Sequence, residues 1–162
     1  MKNIVLFLAL MTTALSAGLF YAWVVSVIPG TKKVTDQAYL EVMQSINRTI
    51  LNPGFFIIFF GAMFLLFVQT YFQYKIKIDN IFWLTLSATV IYLIGTIGIT
   101  MFGNVPLNNM VDALDLSKMN LEEFKEARLN YEDRWNQLNM IRTVAAMISF
   151  LLLFFAALIH RI

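Results

Sequence analysis

The chain has no cysteine, one histidine and little charge, with Asp, Glu, Lys and Arg together making up 14% of its 162 residues. Each shortage removes a class of function. Without cysteine there is no disulfide framework, no thiolate metal site and no thiol nucleophile. The single histidine, His160, lies two residues from the end of the sequence. Haem ligation, the usual zinc sites and a Ser-His-Asp triad therefore lack their central residue, and no metal or cofactor is expected. The net charge of +2 is carried by dispersed basic residues, so nucleic acid is not an expected partner. What the chain has in abundance is hydrocarbon: 59% hydrophobic and 15% aromatic residues, with a mean hydropathy of +0.70. That balance belongs to an integral membrane protein whose first partner is the lipid bilayer. Any chemistry falls to Asn, Gln, Arg, Tyr, Trp, Ser, Thr or a carboxylate.

Four stretches are long and apolar enough to span. The first runs from Ile4 to Ile28 without a charge and stops at Pro29-Gly30. Lys2 and the tripeptide Ala14-Leu15-Ser16 imitate a signal peptide, but hydrocarbon continues through Trp23 and Ile28, which predicts an uncleaved span of about residues 4–28. Ala14, Gly18 and Ala22 repeat a small residue every four, a pattern that suits close helix packing. Thr31 to Asn52 is polar, with Tyr39, Met43, Ile46 and Ile50 on one helical face and Glu41, Gln44, Ser45 and Arg48 on the others, which predicts an amphipathic helix over the bundle or at the interface. Asn47 borders the apolar face. Asn52-Pro53-Gly54 turns the chain into the second span, about 53–74.

The link Lys75 to Asn80 is short, so the second and third spans are antiparallel neighbours. The third span, about 81–103, carries Ser87, Thr89, Thr96 and Thr100 as packing polarity and is expected to end before Pro106. Asn120 with Glu123 reads as a helix start. From there Leu121, Phe124, Arg128, Tyr131, Trp135, Asn139 and Arg142 form one stripe at spacings of three and four. The stripe runs unbroken from a charged connection into hydrocarbon, predicting one long helix from Leu121 to Ile159 with its membrane part about 138–159. The fold class is all-α: a single four-span up-and-down bundle over residues 1–162 with both termini on one side. Lys75 and Lys77 in the short link, together with Lys2 and Arg161 in the tails on the same side, favour termini in the cytoplasm of a plasma (inner) membrane, by density of charge per residue. The acidic face Glu122, Glu123 and Glu126 has no Glu-x-x-His partner and reads as a solvated surface.

Counting spans brings Asn47, Asn52, Asn104, Asn108, Trp135, Asn139 and Arg142 to the same mouth whichever way the bundle is inserted. An arginine near the end of a span has two readings. It snorkels to the interface, with Trp135 in an aromatic belt and the amides capping turns, or it marks a site. In the second reading Arg142 and Asn139 are the candidate catalytic residues, and Asn47, Asn104, Asn108 and Trp135 the candidate substrate-binding ones. Guanidinium and amide donors above hydrocarbon walls suit an anionic or carbonyl-bearing lipophilic ligand.

The Pro-Gly end of the first span, Met43-Gln-Ser-Ile-Asn47 followed by Asn52-Pro53, then Asn104-Val-Pro-Leu-Asn108, then Trp135-x3-Asn139-x2-Arg142-Thr143, together resemble the anthrone oxygenase-like family of small four-span membrane proteins. That resemblance covers nearly the whole chain. The family's members of known role are fungal enzymes that oxidise anthrones to anthraquinones without an evident cofactor; the resemblance points to Asn47, Asn104, Asn108, Trp135, Asn139 and Arg142 without implying that this chain acts on anthrones. Two expectations follow. The first is a cofactor-independent oxygenase for a phenolic or enolisable lipophilic substrate, with Tyr131 or Glu132 as proton acceptor. The second is a non-catalytic membrane protein that binds a lipophilic ligand or stabilises a protein partner.

Overall fold

A computed structural model describes residues 2–160. Arg161, used in the orientation reading, lies outside the described residues, as do the side chains of Lys2 and His160. Five helical segments follow one another: α1 (Asn3–Thr31), α2 (Asp36–Thr49), α3 (Pro53–Ile76), α4 (Asn80–Asp112) and α5 (Leu121–His160). All but α2 are long and apolar enough to cross a membrane. They pack as a ring in the order α1, α3, α4, α5, an all-α up-and-down bundle. Large apolar side chains point outward from every span, among them Phe7, Phe64, Ile94 and Phe155, while alanines from every span, Ala9, Ala17, Ala62, Ala88 and Ala146, meet inside. Lipid offers no hydrophobic drive for helices to associate, so close backbone approach through small residues supplies the packing. At the tightest crossing, a Cβ added to Gly95 would lie 2.5 Å from the Cβ of Ala145.

The helix ends follow their local chemistry. Thr35 caps α2, Asn52 caps α3 and Asp79 caps α4. Asn120 receives the backbone N–H groups of Glu122 and Glu123 while its own N–H donates to Glu123 at 2.7 Å, the reciprocal box expected from the sequence. From that box α5 runs unbroken for 40 residues, about 60 Å at 1.5 Å per residue and so about twice the hydrocarbon thickness. Its first third stands beyond the bundle. There α2 and the end of α4 close over it through Tyr39, Leu40, Met43, Val111 and Phe124.

Two expectations change. The helix of the third span does not end near Gly103: α4 passes through Pro106 and continues to Asp112. Wide π turns over Tyr92–Gly98 and Thr100–Asn104 precede the proline, and Val105 N–H bonds the carbonyl of Thr100, five residues back. Such a turn draws the preceding carbonyls away from the ring, which removes the clash that normally ends a helix. A similar turn, Trp23–Val27, lets α1 pass Pro29. The small-residue stripe also faces elsewhere. Gly18 and Ala22 are exposed and nothing lies within 4 Å of a Cβ built on Gly18, so the bundle is packed by the neighbouring face, Thr13, Ser16, Ala17 and Phe20.

Candidate functional site

α5 carries two arginines on its inner stripe, and the fold treats them differently. Arg128, beyond the bundle, donates to Glu132 Oε2 at 2.7 Å, to Asp36 Oδ1 at 3.0 Å, and to the carbonyls of Val34 and Thr31. It also stacks 4.5 Å from the Tyr39 ring. Two carboxylates neutralise it and two carbonyls engage two more of its N–H groups, so Arg128 fastens the α1–α2 connection to α5. Burial pushes the Tyr39 phenol well above its usual range, which keeps it neutral in this cluster.

Arg142, inside the mouth, is 8% exposed and makes no ion pair among the described residues. Its Nε and Nη2 both donate to Asn139 Oδ1, at 3.0 and 2.9 Å, and its Nη1 reaches Thr100 Oγ1 at 3.5 Å. The guanidinium lies between two aromatic faces, 4.5 Å from the Phe20 ring and 5.1 Å from the Trp135 ring. A guanidinium has five N–H donors, and three of them are engaged. Cation–π contact offsets part of the cost of burial but supplies no hydrogen-bond acceptor.

Beside it runs a second polar chain. Trp135 Nε1 donates to Asn108 Oδ1 at 2.7 Å, and the Tyr131 hydroxyl donates to the same oxygen at 3.1 Å. Asn47 Nδ2 donates to the Tyr131 hydroxyl at 3.5 Å. Asn104 Nδ2 donates to the backbone carbonyl of Trp135 at 3.3 Å and ties α4 to α5. Between these groups lies a cavity of about 100 Å³. Phe20 and Trp23 of α1, Asn47 of α2, Phe55 of α3, Thr100 and Asn108 of α4, and Trp135 and Arg142 of α5 form most of its wall. Ile50 and Leu51, at the break between α2 and α3, add a non-helical side to it, and Leu19, Ile46 and Val105 supply the rest.

Four of the six residues singled out in the sequence, Asn47, Asn108, Trp135 and Arg142, thus meet at one cavity. Asn139 sits behind Arg142, fully buried, with its Nδ2 unpartnered. It positions the guanidinium. Asn104 is also fully buried and holds the helix contact. Asn52 only caps α3, accepting from Phe55 N–H at 3.0 Å. Glu132 points to Arg128 and is not on the cavity wall. Thr100, Phe20 and Trp23 were not foreseen. Thr96, Thr100, Asn104 and Asn108 recur every four residues, a polar stripe that marks Thr100; no sequence signal marks the two aromatics of α1.

A family model described as anthrone oxygenase matches residues 46–152, more than half of the chain. Comparison with curated proteins and with solved structures returns no match.

Proposed function

The chain belongs to the anthrone oxygenase family, and from that membership we propose that it is a cofactor-independent oxygenase acting on a lipophilic phenolic or enolisable substrate held at the Arg142 cavity. One observation carries the reading: Arg142 is buried between aromatic rings with no carboxylate beside it among the described residues. Burying an unneutralised cation costs several kcal/mol on general grounds, and an anionic ligand recovers that cost. Arg128, on the same helix, is paired with two carboxylates, so the bare guanidinium is a local choice of the fold.

In this reading the substrate's oxyanion lies against the free N–H groups of Arg142, its rings stack on Trp135 and Phe20, and Asn108 Nδ2 holds a carbonyl oxygen. Stabilising the oxyanion keeps the substrate ionised, and the carbon conjugated to it is then electron-rich enough to reduce dioxygen directly. For a methylene centre the balance is one O2 taken up, one oxygen retained as the new carbonyl, and the other released as water with the two hydrogens. A fused-ring ligand needs more room than about 100 Å³. The non-helical wall at Ile50 and Leu51 is where it is gained, Leu51 being 65% exposed.

A second reading, a non-catalytic binder of a lipophilic ligand, is favoured by one feature: among the described residues no carboxylate stands on the cavity wall. The deciding experiment offers anthrone to purified protein in lipid nanodiscs and follows oxygen uptake. Uptake that is lost in Arg142→Ala supports the oxygenase; binding without uptake assigns the non-catalytic role.

A further inference from the structure

We propose that the cavity takes its ligand as a preformed aromatic oxyanion, a phenol or enol acidic enough to lose its proton in water before it binds. This rests on the reading of the Arg142 cavity as a ligand site and narrows the ligand class.

Hydrogen-bond direction carries the argument. Indole and guanidinium N–H groups can only donate, so the contact from Trp135 Nε1 at 2.7 Å fixes which end of Asn108 is oxygen. The same logic makes Asn139 Oδ1 the acceptor for Arg142. Asn108 Oδ1 already receives two donors, so Asn108 offers its Nδ2 protons. Thr100 gives its own proton to the carbonyl of Thr96 at 2.7 Å and receives Arg142. Tyr131 gives its proton to Asn108 and receives Asn47. The side-chain groups left for a ligand on the cavity wall are the two spare guanidinium N–H bonds, the Asn108 amide and the second Asn47 Nδ2 proton, all donors. Among the described side chains there, the acceptor left is Asn47 Oδ1, an amide oxygen too weakly basic to take a proton.

The elements around Arg142 present no stronger base. α1 brings Phe20, α2 Asn47, α3 Phe55, and α4 Thr100 and Asn108. The one titratable side chain α5 brings close is Tyr131, whose proton is committed to Asn108. Glu132, the remaining candidate base, is held by Arg128 away from the cavity. A neutral phenol that enters therefore stays a phenol and leaves the guanidinium unneutralised. A phenolate satisfies both.

The test compares 4-nitro-1-naphthol, the less acidic 1-naphthol and the ether 1-methoxynaphthalene, using protein in nanodiscs with empty nanodiscs as blank. Binding is read from tryptophan quenching and from the ligand's own absorption. At neutral pH the nitro compound binds about ten- to a hundredfold tighter than the ether. Bound, it shows the naphtholate band, and its affinity falls about tenfold per pH unit below the ligand's own pKa. Each ionisable ligand has its own midpoint. An ether within threefold of the nitro compound, a neutral absorption band when bound, or one midpoint shared by both naphthols would overturn the inference. These arms use wild-type protein, so no variant has to fold, and they do not involve oxygen. Anion-selective binding with no oxygen uptake from anthrone, offered at a pH high enough to ionise it to its enolate, would leave this inference standing and remove the oxygenase reading.

Discussion

One oxygen of Asn139 accepts two hydrogen bonds from Arg142, at 3.0 Å from Nε and 2.9 Å from Nη2, in the place where an ion pair would put a carboxylate. The amide fixes the plane of the guanidinium without cancelling its charge. A neutral amide behind the guanidinium orients the cation and leaves it attractive to an incoming anion.

Asn139→Asp supplies the missing carboxylate at nearly constant volume. Thermal stability in detergent should be equal to or above wild type, while affinity for an aromatic oxyanion should fall at least tenfold. Asn139→Ala should lose both, since it strips the guanidinium of two hydrogen bonds worth roughly 1.5 to 3 kcal/mol each. Unchanged anion binding in Asn139→Asp would mean that the charge of Arg142 is not what the ligand meets.

Arg142→Lys separates a binding fork from a snorkelling cation. An ammonium cannot reach Asn139 and Thr100 together while stacking on Phe20 and Trp135, so ligand affinity should drop about ten- to a hundredfold, nearly as far as in Arg142→Ala. A snorkelling residue would tolerate Lys. Wild-type binding in Arg142→Lys, at matched membrane insertion, would dismiss the site.

The contact between α4 and α5 predicts a compensating pair. Gly95→Ala places a methyl 2.5 Å from the Cβ of Ala145, overpacking worth about 1 to 3 kcal/mol. Gly95→Ala with Ala145→Gly should recover most of that loss, and Gly18→Ala, where the added methyl meets nothing within 4 Å, should be neutral. A double-variant cycle by thermal unfolding reads the coupling; additive losses would contradict the close crossing.

Orientation is open to direct labelling because the chain has no cysteine of its own. Lys77→Cys, in the short link between α3 and α4, should react with an impermeant maleimide only from the cytoplasm, and Glu123→Cys only from outside. The reverse pattern would invert the bundle.

Much of the architecture was legible before any coordinates, and the reason is local. Hydrocarbon length specifies a span, a polar amphipathic stretch specifies α2, and the unbroken stripe from Leu121 to Arg142 specifies that α5 runs through without a hinge. The level at which Asn47, Asn108, Trp135 and Arg142 meet also followed from counting spans. Four things were settled only by tertiary structure. The passage of α4 through Pro106 depends on π turns, which no propensity encodes. The outward direction of Gly18 depends on how α1 is rotated against its neighbours; a four-residue repeat places Ala14, Gly18 and Ala22 on one side of a helix without saying what that side meets. The division of the amides, with Asn108 and Asn47 facing the cavity, Asn139 behind Arg142 and Asn104 under Trp135, depends on the rotation of three helices. Above all, of the ten acidic residues of the sequence, Asp36, Glu41, Asp112 and Asp115 lie in the connections at Arg142's own mouth and could have paired with it. Only the packing of the bundle sends Asp36 and Glu132 to Arg128 and leaves Arg142 with amide and hydroxyl oxygens, because a partner is chosen by distance in space and periodicity reports only direction around a single helix.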